Sequence, residues 1–272
     1  MKLGMIVGFA AFTLGLVHLA GEEKQWFVDR NLVYERGNAL SEEYLGKHAP
    51  EFCEMLESLT PWVVRIEVRH SYGENSFSSN HGTGIILNGG GVLTAKHVLN
   101  ENAKEGGKKI LLTMTDGRVL PAEVMKEGKK DWIMLRITGK ENQEAEMKSP
   151  VVMGKVTLKE TAVFLGYPAR LGLDGKGRVK SFHQGDETKG IPVSKLLPLL
   201  VVATVSDPEA MRLKPLAGFP PVGGMSGGPI LNTEGKVIGV QNSVSKTAED
   251  ATGKVLYYTI NATPTGEVVG ER

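Results

Sequence analysis

The chain has 272 residues, of which 41% are hydrophobic and 23% are charged, with 32 basic residues against 31 acidic ones. This composition excludes a disordered chain, and a net charge of +1 gives no electrostatic field that would draw in nucleic acid, so we expect no nucleic-acid partner. A single cysteine excludes an internal disulfide, whereas 34 glycines, well above the average share of about 7%, predict the many turns of an all-β fold.

The N-terminal segment is apolar and carries one basic residue at its start. Met1-Lys2 precedes an uncharged run from Leu3 to Val17, and small residues follow near Ala20. This order predicts a signal peptide over residues 1–20. The competing interpretation is an uncleaved membrane anchor, because residues 3–20 approach the roughly 17–25 residues that span a bilayer. Both interpretations predict an exported protein, periplasmic or secreted, that contacts the membrane only if the anchor is retained.

Residues 21–60 have the pattern of a helical lead-in. Pro50 suits a first helical turn, and an apolar stripe at helical spacing follows it, formed by Phe52, Met55, Leu56 and Leu59. Cys53 borders this stripe, and we interpret it as a half-buried thiol rather than a nucleophile. The role of the lead-in stays open between an inhibitory segment, a packing helix and a partner surface.

From residue 61 onward the pattern becomes that of β-strands. Val64, Ile66 and Val68 alternate with charged residues, which predicts a half-buried strand. Asn88–Gly91 is typical of a tight turn, and Asp116-Gly117 predicts a two-residue hairpin loop. We expect long surface loops at 167–198 and 206–222. Further strands are predicted at 84–87, 92–95, 110–115, 118–125, 132–137, 161–166, 199–205, 229–232, 236–240 and 255–260.

Ser226 is surrounded by the four glycines of the run Gly223-Gly224-Met225-Ser226-Gly227-Gly228. A backbone so free of side chains can aim successive N–H groups at one point, as an oxyanion in acyl transfer requires. The pattern G-x-S-x-G would also suit the nucleophile turn of an α/β-hydrolase. That fold needs a histidine after the serine, and here no histidine follows Ser226, which excludes it.

Two further segments offer partners for the serine. His97 follows an apolar strand, in the position of a general base that takes a proton from a serine hydroxyl and returns it to the leaving group. Asp131 opens another apolar strand and, beside His97, would orient the imidazole. Each residue alone is more often a packed, surface or turn residue, so the hypothesis rests on the three segments together.

These segments together resemble the trypsin/chymotrypsin-like serine peptidases. Thr94–His97 is similar to their T-A-x-H, Asp131 with its apolar strand to their aspartate segment, and Gly224–Pro229 to their G-x-S-G-G-P. The order His, Asp, Ser is also that of the family. The resemblance implies two six-stranded antiparallel β-barrels over residues 61–272, with the boundary between the barrels near residues 140–155.

The closer resemblance is to exported bacterial Deg/HtrA-type protease domains, carried by the segments Thr115–Val124 and Ser226–Val240. Too few residues follow position 264 for a PDZ module, so we expect none. The resemblance implies an oxyanion hole formed by the N–H groups of Gly224 and Ser226. It also implies substrate-binding residues in the segment after the serine hairpin, namely Gln241, Asn242, Ser243 and Val244.

One residue departs from the pattern of the digestive members of the family. Met225 stands where they have an aspartate that pairs with a newly cut N-terminus. Activation by such a salt bridge is therefore not expected.

The predicted function is that of a serine endopeptidase that hydrolyses polypeptides through an acyl-enzyme, with no cofactor and no metal, since no H-E-x-x-H motif occurs. Two alternatives stay open. One is a protease-fold binding or scaffold protein without activity, and the other is a peptidase that cuts only itself or a single precursor. The sequence leaves the cleavage preference and the oligomeric state undetermined.

Overall fold

The computed structural model describes residues 30–73, 76–99, 108–139, 149–168, 171–173, 179–181, 198–218, 221, 223–249 and 255–270. The predicted signal peptide or anchor at residues 1–20 lies outside these residues, as do the first nine residues of the predicted lead-in, 21–29. Within the described part of the chain, no helix combines the length and the apolar character needed to cross a membrane.

The described chain begins with two helices, α1 (Arg30–His48) and α2 (Pro50–Leu59), followed by a 3-10 turn at Thr60–Trp62. Pro50 occupies the first turn of α2, where its missing N–H leaves no helical hydrogen bond unmade. The apolar stripe of α2 faces the core, with Phe52, Leu56 and Leu59 buried. This confirms the helical lead-in.

Six strands form the first barrel, and a 3-10 turn at Lys96–Leu99 follows the third of them. The barrel closes in the order β1-β2-β3-β6-β5-β4, and every pair is antiparallel. The strands are β1 (Val63–Gly73), β2 (Ser76–Ile86), β3 (Gly91–Thr94), β4 (Lys108–Thr113), β5 (Val119–Glu127) and β6 (Ile133–Ile137).

Six further strands form a second closed antiparallel barrel, in the order β10-β11-β14-β13-β12-β7. Two short strands, β8 (Leu171–Leu173) and β9 (Val179–Ser181), pair separately, and helix α3 (Thr265–Gly270) follows the barrel. The barrel strands are β7 (Thr161–Gly166), β10 (Leu199–Asp207), β11 (Arg212–Ala217), β12 (Pro229–Asn232), β13 (Val237–Glu249) and β14 (Val255–Pro264). The predicted fold class, two six-stranded antiparallel barrels, is confirmed.

The segment 206–222, predicted to be a surface loop, contains β11. This strand pairs with β10 and β14, so it closes the second barrel. The prediction was wrong because the apolar signal of this strand is weak: among its described residues Leu213 is buried, whereas Arg212 and Lys214 are exposed and Pro215 interrupts the pattern. The segment 167–198, also predicted to be a loop, contains the β8–β9 pair.

The turn between β4 and β5 also differs from its prediction. The N–H of Met114 donates to the carbonyl oxygen of Arg118 at 2.9 Å, which encloses three residues rather than two. Gly117 has a φ of 93°, and the carboxylate of Asp116 accepts the N–H of Arg118 at 3.0 Å. A left-handed glycine at the third position accounts for the longer loop.

The two barrels pack directly against each other. One cluster of buried side chains contains Val64 and Leu93 of the first barrel together with Val163, Val202 and Leu231 of the second. A second cluster fills the interior of the second barrel. Residues at the junction are therefore held from both sides.

Candidate active site

His97 lies just beyond the end of β3, in the 3-10 turn that follows this strand. The buried side chains of Val98 and Leu99 attach the turn to the first barrel. Thr94, the last residue of β3, is fully buried, and its Oγ1 donates a hydrogen bond to the carbonyl oxygen of Thr83 at 2.6 Å. The imidazole itself is 46% exposed, so a well-anchored turn presents a solvent-accessible base.

Asp131 lies in the turn between β5 and β6. The next residue, Trp132, is fully buried, and its carbonyl oxygen accepts the N–H of Gly128 at 3.1 Å. Any side chain at Gly128 would overlap the indole ring of Trp132. The buried indole packed against this glycine therefore fixes the backbone that carries the carboxylate.

Two hydrogen bonds join His97 to Asp131. Nδ1 of the imidazole lies 2.7 Å from Oδ2, and the backbone N–H of His97 donates to Oδ1 at 2.9 Å. Burial of the carboxyl group opposes its ionisation, but the hydrogen bonds and charge from His97 and the N–H of Lys96 outweigh burial, so the pKa of Asp131 lies below its usual value. With Nδ1–H donating to the carboxylate, Nε2 is the basic nitrogen of the ring.

Ser226 lies in the glycine-rich turn between β11 and β12. Thr83 of the first barrel holds this turn twice, since its N–H donates to the carbonyl oxygen of Ser226 at 2.8 Å and its Oγ1 to that of Gly224 at 3.0 Å. The N–H of Gly227 donates to the carbonyl oxygen of Gln241, in the second barrel, at 2.8 Å. Both barrels therefore fix the position of the serine.

Gly227 brings the serine turn into contact with the segment that carries His97. It has a φ of 83°, and a side chain here would overlap Oγ1 of Thr94 and lie 2.8 Å from the backbone nitrogen of Ala95. Thr94 is three residues before His97. The structure thus places the turns of Ser226 and His97 side by side, at the junction of the barrels.

The N–H groups of Gly224 and Ser226 belong to this same turn. Among the described residues, no carbonyl oxygen accepts a hydrogen bond from either group. Gly224 has a φ of 88°, in the left-handed region that favours glycine, and its carbonyl oxygen is bound to Thr83.

Met225, between these two residues, is fully buried in the core of the second barrel. Its backbone and side chain lie against Gly166 at the end of β7. A Cβ built on Gly166 would come within 2.8 Å of the Met225 Cβ and 3.1 Å of its Cα. Apolar packing into the space left by Gly166 therefore anchors the residue that precedes the serine.

The four predicted substrate-binding residues all lie in β13. Gln241 is buried beside the serine turn, and its N–H donates to the carbonyl oxygen of Gly228 at 3.0 Å. Asn242 comes next and is half-buried. Ser243 is exposed and Val244 half-buried further along the strand. The structure brings Gln241 next to the serine turn, and the other three continue away from it.

Asn242 connects β13 to the segment of Asp131 through β14. Its Nδ2 donates to Oγ1 of Thr263 at 2.8 Å, and this hydroxyl lies 3.5 Å from the carbonyl oxygen of Asp131. Oδ1 of Asn242 and Oε1 of Gln241 are buried and have no hydrogen-bond partner among the described residues.

The sequence interpretation missed Thr83, which contacts several parts of the site. Besides its bonds to the serine turn, its Oγ1 accepts the N–H of Tyr167 at 2.8 Å. The one available signal is the pair of glycines, Gly82 and Gly84, that flank it within β2. Glycine inside a strand often marks the close approach of another part of the chain.

The predicted absence of a metal or cofactor stays a prediction. Within the part of the chain that the structure describes, no three His, Cys, Asp or Glu side chains lie together as potential metal ligands. Cys53 is half-buried on α2, and burial raises the pKa of its thiol, as expected for a packing residue.

Comparisons with known proteins agree with this arrangement. The family described as trypsin-like peptidase domain matches residues 82–240, more than half of the chain and a range that includes His97, Asp131 and Ser226. A relative from Synechocystis sp., named "Putative serine protease HhoB", is 28% identical over 176 residues. That match covers 62% of this chain and 35% of the relative, so the chain spans about a third of the relative's length.

Proposed function

Because the chain belongs to the family of trypsin-like peptidase domains, we propose that it is a serine endopeptidase in which Ser226 is the nucleophile, His97 the general base and acid, and Asp131 the residue that orients the histidine. The observation that carries this proposal is the double hydrogen bond between His97 and Asp131, residues 34 positions apart in the chain. A carboxylate bound to Nδ1 leaves Nε2 to accept a proton, and the turn of Ser226 lies against the adjoining strand end.

In the proposed acylation step, Nε2 of His97 takes the proton of the Ser226 hydroxyl while Oγ bonds to the carbonyl carbon of the scissile peptide. The carbonyl π bond opens, and its electrons pass to oxygen. The N–H groups of Gly224 and Ser226 would hold the resulting oxyanion, and each such donor contributes about 3–4 kcal/mol to transition-state stabilisation.

Collapse of the intermediate breaks the C–N bond, and the imidazolium of His97 returns its proton to the leaving amine. Water then attacks the acyl-enzyme by the same route, giving a carboxylic acid and restoring the Ser226 hydroxyl. The ionised Asp131 stabilises the imidazolium in both steps and stays ionised itself. Side chains and backbone N–H groups of the chain, with water as the second nucleophile, account for this sequence, so the proposal needs no cofactor.

The proposed substrate is an extended polypeptide that lies beside β13. Gln241, Asn242, Ser243 and Val244 would run along its backbone and line the pocket for the side chain that precedes the cut bond. The position of Gln241, buried against the serine turn, supports its place at this pocket. Cleavage-site profiling on a peptide library would define the preference.

We also propose that the protein is exported, with residues 1–20 acting as signal peptide or anchor. The support is the apolar, nearly uncharged N-terminal sequence. Expression of the full chain with its native N-terminus, followed by N-terminal sequencing of the exported and membrane fractions, tests this. A soluble exported form that begins near residue 21 indicates cleavage, a membrane-bound form that begins at Met1 indicates an anchor, and retention in the cytoplasm contradicts the proposal.

A fluorophosphonate probe tests the nucleophile, because it phosphonylates only a serine that an adjacent base activates. We expect covalent labelling at Ser226, none in Ser226→Ala, and a loss of at least about 10³-fold in labelling rate in His97→Ala. Ser206→Ala is the matched control, since Ser206 is an exposed serine whose Oγ donates to the carbonyl oxygen of Arg212. Labelling that persists at the wild-type rate in His97→Ala would refute the proposed base.

Turnover of denatured casein separates the proposal from its alternatives. An endopeptidase degrades casein, and Ser226→Ala does not. A protein that cuts only itself or one precursor would take the label and leave casein intact, whereas a binding or scaffold protein would take no label and would also leave casein intact. Either result would contradict the general endopeptidase activity.

A further inference from the structure

Helix α1 is hydrogen-bonded to the backbone of the second barrel through two polar side chains. Oγ of Ser41 donates to the carbonyl oxygen of Leu200 at 2.7 Å, and Oδ1 of Asn38 accepts the N–H of the same residue at 2.8 Å. Ser41 is fully buried, although it belongs to a helix that precedes the barrels in the chain. Both backbone groups of one strand residue are therefore satisfied by side chains of α1.

The reason for this contact lies in the pairing of β10. The strand pairs with β7 along its first residues, but its pairing with β11 begins only at Val202. The N–H and carbonyl groups of Leu200 on the β11 side would otherwise be buried without partners, which is costly. Nδ2 of Asn38 also donates to the carbonyl oxygen of Pro198 at 3.2 Å. Together, Asn38 and Ser41 take the place of the missing strand neighbour.

The same contact reaches the end of β11, which precedes the serine turn in the chain. Gly218, just after β11, has a φ of 94°, and a Cβ built on it would lie 2.5 Å from Oγ of Ser41 and 2.7 Å from the carbonyl oxygen of Leu200. Helix α1, the start of β10 and the end of β11 thus meet without space for a side chain. Four residues separate Gly218 from Gly223, where the serine turn begins.

A second connection runs through β7. Leu199 and Leu200 pair with Gly166 and Leu165, and Gly166 is the residue against which Met225 packs. The backbone held by α1 is therefore one strand away from the residue that precedes Ser226.

These contacts lead to a role for the helix, which rests on the proposed function. We propose that Asn38 and Ser41 are positioning residues, through which α1 keeps the serine turn in the arrangement that presents the N–H groups of Gly224 and Ser226. A turn with four glycines has many accessible conformations, so its neighbours must select one. Met225 supplies no charge for an ion pair, so the selection is made by the hydrogen bonds with Thr83 and Gln241 together with packing and the adjoining strand ends.

The double variant Asn38→Ala/Ser41→Ala tests the proposal on the full chain. We expect the rate of fluorophosphonate labelling and the value of kcat to fall about tenfold, with a smaller change in KM. Both rates are measured well below the midpoint of thermal unfolding of the variant, so that a loss of folded protein does not account for them.

Ser58→Ala is the matched control. Ser58 is an exposed helical serine whose Oγ donates to the carbonyl oxygen of Met55 within α2. Ser58→Ala removes a serine Oγ, as Ser41→Ala does, but changes no contact with β10, so its labelling rate and kcat should equal those of the wild type.

Hydrogen exchange gives a readout that does not require activity. The amides of Thr83, Gly227 and Gly228 donate to Ser226, Gln241 and Met225 and should be protected while the serine turn is ordered. We expect these amides to exchange faster in Asn38→Ala/Ser41→Ala, and those of β4 to keep their wild-type rate.

The two measurements separate the possible failures. Unchanged exchange and unchanged labelling in the double variant, with only a lower unfolding temperature, would show that α1 contributes stability alone and would overturn the positioning role. If the wild type takes no label while exchange at Gly227 still depends on Asn38 and Ser41, the proposed function fails and the positioning role stands.

Discussion

Thr83 uses one hydroxyl and one amide to connect three segments of the candidate site. Its Oγ1 accepts the N–H of Tyr167 and donates to the carbonyl oxygen of Gly224, and its own N–H donates to Ser226. The residue is fully buried, so none of these groups can exchange its partner for bulk water. Its removal should therefore affect stability and reactivity together.

We expect Thr83→Val, which keeps the shape and removes the hydroxyl, to lower the free energy of unfolding by about 2–6 kcal/mol, since two buried polar groups lose their partner at about 1–3 kcal/mol each. The labelling rate of Ser226 should fall as well, because the carbonyl of Gly224 is released. Urea denaturation and fluorophosphonate kinetics measure the two effects. Thr83→Ser keeps the hydroxyl and serves as the control; equal losses in Val and Ser variants would contradict this role of the hydroxyl.

The end of β7 packs against the residue that precedes Ser226. Gly166 leaves the space that Met225 fills, and the strand thereby joins the core of the second barrel to the serine turn. The contact involves the backbone of Met225 as well as its side chain, so the turn cannot relax by a rotamer change alone.

We expect Gly166→Ala to displace Met225 and to destabilise the fold by about 1–3 kcal/mol, the usual cost of overpacking a core, with a loss of Ser226 labelling. Gly46→Ala in α1 is the matched control, because nothing lies within 4 Å of a Cβ at that position. The control should raise stability by about 0.5–1 kcal/mol through helix propensity and leave labelling unchanged. Thermal or urea unfolding measures both, and a Gly166→Ala protein with wild-type labelling would contradict the coupling.

Most strands could be predicted from the sequence because their local signals are strong. The hairpin of β2 and β3 has three glycines at its turn, and β1 alternates apolar and charged residues. The start of β2 and the whole of β11 could not be predicted, since Arg212, Lys214 and Pro215 conceal the one buried position of β11, Leu213. Pairing with β10 and β14, rather than local preference, makes that segment a strand.

At the scale of the whole molecule, the hydrogen-bonded carboxylate of Asp131 makes stability depend on pH. In the unfolded chain this group titrates near 3.9, whereas in the fold its pKa is lower. Its ionised form therefore stabilises the fold above about pH 4, and this contribution is lost as the pH falls through the lower folded-state pKa. We expect the difference in the free energy of unfolding between the wild type and Asp131→Asn to shrink from about pH 5 to about pH 3, as measured by urea denaturation at each pH.

The background His97→Ala supplies the control for that experiment. Two of the interactions that lower the pKa of Asp131, the hydrogen bond from the imidazole and the attraction of its charge, are then absent. The pH dependence of the Asp131→Asn effect should be smaller there. If the difference in the free energy of unfolding between the wild type and Asp131→Asn stays constant or grows as the pH falls, the lowered pKa of Asp131 is contradicted.

The sequence predicts the residues of the candidate site but not the contacts that support them. His97, Asp131 and Ser226 were identified from short motifs, and the structure joins the first two and places the turn of the third beside them. The supporting contacts were invisible, because Thr83 and Gly224 are separated by 141 positions and Ser41 and Leu200 by 159. Neither pair has a local pattern that reveals its partner, since such contacts follow from how the barrels pack.

The candidate site lies at the junction of the barrels, so it forms only after both barrels have folded. His97 and Asp131 belong to the first barrel, Ser226 to the second, and Thr263 of β14 lies against the carbonyl oxygen of Asp131. Because domains fold from the N-terminus during synthesis, we expect His97 and Asp131 to come together before the second barrel fixes the turn of Ser226. A chain that ends before β14 would therefore carry His97 and Asp131 without a complete second barrel to hold the turn of Ser226, so the candidate site is complete only once both barrels have folded.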